Sequence, residues 1–416
     1  GKTGHFQESR LFPLAGLERG LNVSIGNVIR CRWRETNSLP PLQDPRVRQA
    51  MLHCQSKYFH PPPSTRLILA EGEYSLWATT GEFGRGSKVE ESEERTETGR
   101  SISSWRGWVL PFRPPRQATD PLPTHSSIFT PSDTAPVVLA LYHTAFLFHS
   151  PWEKTAAQRD WAKIPDILAH RWPEPLPPIT RRPPDRWPAL AAFDTEFVVE
   201  TGYLTRYSMA YRERMTGPAH VWVVENWQGL VSLPEVPDLT PTVIMHNALA
   251  DLPYLPIVVG RSPIHIEDTM IQDSLLWSDL AHSLGYLGSL RARINRWKHL
   301  SESNPVEYSA GDAIGTWDAW VSLSREMDRD PMTAKLYQQF LPMLPHIARS
   351  VAHGIRTNQA RAQRVIQELG REKDEAEWMA QAWCGWPVKV GSSAQVGQGL
   401  YQQERMNPAL LRRRRT

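Results

Sequence analysis

LAAFDTEFVVE, residues 190–200, is a β-rich run that carries an acidic pair. In a strand, residues i and i+2 point to the same face, so Asp194 and Glu196 project together while Thr195 points away. Two strand-like segments follow, TRYSMAYR (205–212) and HVWVVENW (220–227), and PTVIMHNA (241–248) reads as a fourth. From Asp268 onward the pattern turns helical, with apolar residues at helical spacing through SLLWSDLAHSLGYL (274–287). A strand-rich half followed by helices predicts an α/β domain on a mixed sheet.

Two further motifs follow the first in order. Asn247-x-x-x-Asp251 lies just after the fourth strand, and Tyr308-x-x-x-Asp312 lies in a helical region. Positions i and i+4 of a helix share a face, so Tyr308 and Asp312 can reach one site. Four carboxylates brought together repel strongly unless a cation neutralises them, and hard oxygen ligands suit Mg²⁺ or Mn²⁺. Two such ions about 3.5–4 Å apart can hold a phosphodiester in line with an activated water. A phenol with a pKa near 10 is a poor base, so Tyr308 would orient that water rather than deprotonate it. Singly, such motifs are as readily a strand-end turn or a core aromatic. Their order, and the spacings of 55 residues (Glu196 to Asp251) and 61 (Asp251 to Asp312), make the set far more selective.

Residues 189–325 resemble the proofreading 3′→5′ exonuclease domain of family A DNA polymerases, of the DEDD group and tyrosine type. FDTEF (193–197) is similar to the first motif of that family, HNALAD (246–251) to the second and YSAGD (308–312) to the third. EDTMIQDSLLWSDLAHSLGYLGSL (267–290) resembles the stretch between the last two. The resemblance implies a ribonuclease-H-like fold, a mixed sheet with helices, and cleavage from a 3′ end with two divalent metals. Asp194, Glu196, Asp251 and Asp312 would be metal ligands, Tyr308 the water-orienting group and Asn247 a neighbour of the site. Phe197 and Tyr254 are candidates to stack on frayed bases of a single-stranded 3′ end. The implied partner is DNA, as a single-stranded 3′ end or a primer–template. Rival readings are an exoribonuclease of the same group and an idle DNA-binding module.

LPMLPHIARSVAHGIRTN (341–358) and GWPVKVGSSAQVGQGLYQQERMNP (385–408) resemble the start of a family A polymerase module. The palm and fingers that would polymerise DNA do not follow. Four adjacent arginines, Arg412–Arg415, read more simply as a solvated charge run than as a phosphate-binding patch.

Upstream, SIGNVIRCR (24–32), AMLHCQSKYF (50–59), TRLILAEGEYSLWATTG (65–81), WRGWVLPF (105–112) and LALYHTAFLFHSP (139–151) resemble the later half of uracil-DNA glycosylases of the iron–sulfur type. A partial α/β/α domain is implied, and a glycosylase-related repair protein is a third rival reading of the chain. Cys31 and Cys54 sit where that family places two cluster cysteines, and His143-Thr144 where it has a histidine motif, departing at the proline that usually follows. Two thiolates do not make a four-thiolate cluster, so an iron–sulfur cluster belongs only to an intact parent chain. Plain readings are two buried thiols and a core histidine. Apolar runs at Leu21–Ile29, Arg66–Ala70 and Val137–Phe148 read as strands and their neighbours. Lys88–Arg100 is charged without apolar residues and reads as a solvated loop.

Residues 172–188 hold seven of the 36 prolines, against an average usage of about 5%. Proline lacks an amide donor and disfavours helix at the preceding residue, which predicts a stiff, extended linker. The expected division is therefore 1–170 glycosylase-like, 171–188 linker, 189–330 exonuclease and 331–416 a helical segment leading into a polymerase. With 416 residues, 40% of them apolar, each part has enough material for a core. Three cysteines argue against a disulfide framework and for a reducing, cytoplasmic setting at replicating DNA. No apolar run reaches the roughly 18 residues of a membrane span. The net charge of +3 suits a polyanionic partner without requiring one. Both ends stop inside recognisable stretches, which points to an interior piece of a longer replicative polypeptide.

Overall fold

The computed structural model describes residues 2–29, 39–42, 44–82, 102–117, 125–132, 135–182, 188–198, 201–214, 217–225, 241–259, 265–354, 356–392, 395–397 and 399. The chain divides into two compact units, Gly1–Ala352 and His353–Thr416.

After helical turns over Lys2–Ala15, the first unit builds a small sheet. Helix α1 (Pro45–Tyr58) is capped by Asp44, whose carboxylate accepts from Arg46 N. Strand β1 (Leu67–Glu71), helix α2 (Glu73–Thr80), β2 (Val109–Pro111), β3 (Val137–Leu141) and helix α3 (Glu153–Ala162) follow. The sheet order is β1-β3-β2, with β3 parallel to β1 and antiparallel to β2. As the central strand, β3 is buried at every position, which its unbroken Val-Val-Leu-Ala-Leu run suits. The apolar run read at 137–148 splits here, with the strand ending at Leu141 and a short helix at Phe146–His149. The strand expected at Leu21–Ile29 does not form. Leu21 and Ile25 are 76% and 50% exposed, and Asn22, Gly26 and Asn27 interrupt the run, which makes only an isolated bridge from Val23 to Arg19. Lys88–Arg100 lies outside the described residues.

The larger sheet comprises β4 (Ile179–Thr180), β5 (Leu190–Val198), β6 (Tyr203–Arg212), β7 (Ala219–Glu225), β8 (Thr242–Met245) and β9 (His265–Asp268). Their order is β4-β7-β6-β5-β8-β9, mixed as the α/β reading expects. β5 pairs antiparallel with β6 and parallel with β8, so it lies between both kinds of neighbour. Helices α4 (Ala248–Asp251), α5 (Thr269–Leu276), α6 (Leu284–Arg291) and α7 (Pro305–Met327) surround it, followed by α8 (Pro331–Phe340) and α9 (Leu344–His353). Asn304 caps α7 and Pro305 opens it, where a missing amide costs nothing. The buried face of α7 is rich in small residues, Ala310, Gly311, Ala313, Gly315 and Ala319.

The described part of the proline-rich stretch is built into this unit rather than left as a tether. Ile179–Thr180 adds to the edge of β7. Trp172 is buried and donates to the Ala292 carbonyl at 3.0 Å. One apolar core runs through both sheets, from Leu11, Trp108, Leu139 and Trp161 to Ala210, Val221, Trp297 and Ile314. Arg106, fully buried, bonds Asp160 at 2.9 Å on its own side and Ser289 at 2.7 Å across that junction.

In the second unit, α10 (Gln359–Cys384) is capped by Asn358, which accepts from Arg361 N at 3.0 Å. Gly385, at φ 78°, ends it in the left-handed conformation that glycine adopts without strain. Arg412–Arg415 lie outside the described residues. Among the described residues no helix is long and apolar enough to cross a membrane.

Candidate metal centre

Strand alternation on β5 sends Asp194 and Glu196 to one side, and α7 supplies Asp312. One carboxylate oxygen from each of the three lies within 4.8 Å of the others. Asp194 Oδ2 is enclosed and has no hydrogen-bond partner among the described residues. Burial, followed by the charges of Asp312, Asp251 and Glu196, pushes the Asp194 carboxyl well above the usual carboxylate range. Such a group, held beside two more carboxylates, fits a divalent cation that would supply the missing positive charge and oxygen ligation.

Asp251, the fourth expected ligand, stands beside this trio rather than within it. It ends the short α4, entered through Asn247 at φ 62°. Its Oδ1 accepts from Thr195 N at 2.8 Å and Thr195 Oγ1 at 2.5 Å. Burial raises its pKa to about 7, the Thr195 hydrogen bonds pulling it back and the Glu196 and Asp268 charges adding to the rise. Asn247 is exposed and its side chain caps nothing. The turn is held instead by Asp268, which accepts from Ala248 N at 2.8 Å while capping α5 through Met270 N and Ile271 N.

Asp312 is fixed by two donors to one oxygen. Trp297 Nε1 lies 2.6 Å and Lys298 Nζ 2.9 Å from its Oδ1, which leaves Oδ2 for a cation. Trp297 is fully buried. A Cβ added at Gly288, Gly311 or Gly315 would fall well inside contact distance of its indole, so three glycines clear its slot. Tyr308, one helical turn before Asp312, accepts from Lys298 Nζ at 3.1 Å. The Asp312 charge, together with burial, pushes its phenol far above the ordinary value, and Lys298 only partly offsets this. Tyr308 therefore stays protonated at neutral pH and works through hydrogen bonds.

Phe197 and Tyr254 stack on each other, with ring centroids 4.8 Å apart and planes 26° apart. At least one face of each ring is thus already occupied. Of the glycosylase-like positions, Cys54 is a buried free thiol on α1 and Cys31 lies outside the described residues. His143 is exposed just past the end of β3, so the core-histidine reading does not hold there. Next to it, Thr144 Oγ1 donates to the Glu71 carboxylate at 2.9 Å.

Trp297 and Lys298 were not singled out from the sequence. Their segment, RINRWKHL (293–300), has no periodicity, and their partners sit 10 to 15 residues on. The one available signal was the run of glycines at 288, 311 and 315, which asks what large group needs the room.

No family model matches the chain, and no curated protein matches it. Among solved structures, NrnC of Brucella melitensis with bound Mg²⁺ is 21% identical, covering 39% of this chain and 84% of that one, with a TM-score of 0.32. NrnC bound to pGG is 23% identical over 39% and 83%, with a TM-score of 0.31. The POL domain of Pol1 from M. smegmatis, in complex with DNA primer-template and dNTP, is 17% identical. It covers 52% of this chain and 37% of that one, with a TM-score of 0.34. Likenesses this distant leave the chemistry to be read from the residues themselves.

Proposed function

We propose that the chain is a metal-dependent 3′→5′ exonuclease that removes terminal nucleotides from single-stranded DNA. The observation that carries this reading is the trio Asp194, Glu196 and Asp312, their oxygens within 4.8 Å and one Asp194 oxygen enclosed without a partner. The ordered sequence motifs, and their resemblance to proofreading domains, supply the polarity and the choice of DNA.

Asp194, Glu196 and Asp312 would hold the ions, with Asp251 alongside. When bound, the ions supply the charge that binds a phosphodiester and lowers the pKa of water. The chain's own groups do the rest. Tyr308, kept protonated by the neighbouring carboxylate, orients the attacking water. Trp297 and Lys298 keep Asp312 from turning, and Thr195 does the same for Asp251. The Phe197–Tyr254 stack offers a rigid aromatic edge for terminal bases.

The test is to supply DNA and RNA oligonucleotides of one sequence with Mg²⁺ and identify the released product. Nucleoside 5′-monophosphates freed from DNA 3′ ends faster than from RNA support the reading. Release mainly from RNA would replace it with an exoribonuclease, and release of internal fragments would exclude an exonuclease.

A further inference from the structure

We infer that Lys298 is a positioning residue that ties the Tyr308 hydroxyl to Asp312 and sets the charge of the carboxylate cluster. This rests on the proposed nuclease reading of the same site. Lys298 Nζ lies 3.1 Å from Tyr308 Oη and 2.9 Å from Asp312 Oδ1, and 4.9 Å from the centroid of the Tyr308 ring. A solvated surface lysine makes no such set of contacts. Its side chain is 20% exposed, so the ion pair is less screened than one on the open surface.

The chemistry of the donors gives the arrangement a direction. An ammonium only donates, whereas a phenol both donates and accepts. By taking a lone pair of Tyr308 Oη, Lys298 turns the phenolic hydrogen away from itself. The hydroxyl is left with one defined donor direction for a water or a phosphate oxygen. The same ammonium holds Asp312, so hydroxyl and carboxylate move as a pair. Lys298 is itself anchored, because the adjacent Trp297 is locked in the slot cleared by Gly288, Gly311 and Gly315.

Lys298 also carries a positive charge to the carboxylates that a divalent ion would occupy. Ammonium and ion therefore draw on one carboxylate and repel each other. Removing the ammonium should loosen Tyr308 and, at the same time, favour the ion.

Two measurements on the full chain test this. With a 5′-labelled single-stranded DNA and Mg²⁺, Lys298→Met is expected to lower kcat by about 10–100-fold with KM changed less than about threefold. Lys298→Arg should recover part of the loss. In a chain already carrying Tyr308→Phe, Lys298→Met should cost less than about threefold more, because the lost positioning no longer has its object. Losses that multiply in the double variant, or an unchanged kcat in Lys298→Met, overturn the proposal. The second measurement is Mn²⁺ binding without DNA, followed by electron paramagnetic resonance. Lys298→Met should bind Mn²⁺ at least about threefold more tightly, and unchanged or weaker binding overturns the proposal. If the unsubstituted chain shortens no nucleic acid, the proposed function fails while the Mn²⁺ result still decides the place of Lys298.

Discussion

Thr195 grips Asp251 with two donors, its backbone N–H at 2.8 Å and its hydroxyl at 2.5 Å from one carboxylate oxygen. The middle residue of the first acidic motif thus clamps the second motif, while its two neighbours face Asp312. Thr195→Val keeps the β-branched shape and removes one donor from a buried acid. A loss of about 1–3 kcal/mol in stability is expected, with kcat lowered about tenfold. Denaturant unfolding and steady-state kinetics on the variant check both figures. Wild-type values in both would mean that the hydroxyl does not hold Asp251.

Gly311 stands against the Trp297 indole, and the indole in turn holds Asp312. Gly311→Ala removes none of the acidic side chains, yet it cannot be accommodated without moving Trp297. The expected cost is about 1–3 kcal/mol from overpacking. Because the displaced indole releases Asp312, Mn²⁺ affinity should fall as well. Calorimetric melting, run with and without Mn²⁺, reads both effects.

Arg106 and Asp160 are fully buried partners beside the small sheet, and Arg106 also donates to Ser289 across the junction with the larger one. Breaking such a pair from one side strands the other charge, so Asp160→Ala is expected to cost about 3–5 kcal/mol. The same variant tests the shared core. Residues 1–352 should still unfold in one transition, and two separated transitions would favour independent lobes joined at the proline-rich stretch.

Glu326 bonds Arg159 of α3, Arg291 of α6 and Trp277. Burial alone would raise its pKa, but the hydrogen bonds and charges of Arg291 and Arg159 outweigh it and lower the value from 4.5 to about 2. A carboxylate depressed in the folded state contributes stability above its unfolded value and loses it as pH falls through the folded one. Its contribution should therefore be complete at neutral pH and vanish between pH 4.5 and about 2. Glu326→Gln should flatten the stability profile across that window and leave the slope above pH 6 unchanged.

Much of the central sheet is legible in the chain, because strand alternation and helical spacing are local. LAAFDTEFVVE forms β5 over Leu190–Val198, and β6, β7 and β8 follow where the pattern places them, whereas β9 (His265–Asp268) has no reading as a strand. The proximity of Asp194, Glu196 and Asp312 follows from those periods once the elements pack. What the periods do not carry is the approach of one element to another. Trp297 and Lys298 meet Asp312 from the start of a single short helical turn (Lys298–Leu300) in a segment without sequence periodicity, and Asp251 turns to Thr195 rather than joining the trio. Leu21–Ile29 shows the converse, an apolar run whose Gly26 and two asparagines leave it without a strand partner. Prolines at 172–188 favour an extended backbone but do not say what it lies against, and here Ile179–Thr180 extends the sheet.

The most direct measurement is metal-dependent shortening of a 5′-labelled single-stranded DNA, beside a double variant carrying Asp194→Asn and Glu196→Gln. A ladder that shortens from the 3′ end, needs Mg²⁺ or Mn²⁺ and vanishes in the double variant is the predicted result. A folded, metal-supplied chain that leaves the DNA intact, or a ladder that persists in the double variant, would contradict the account.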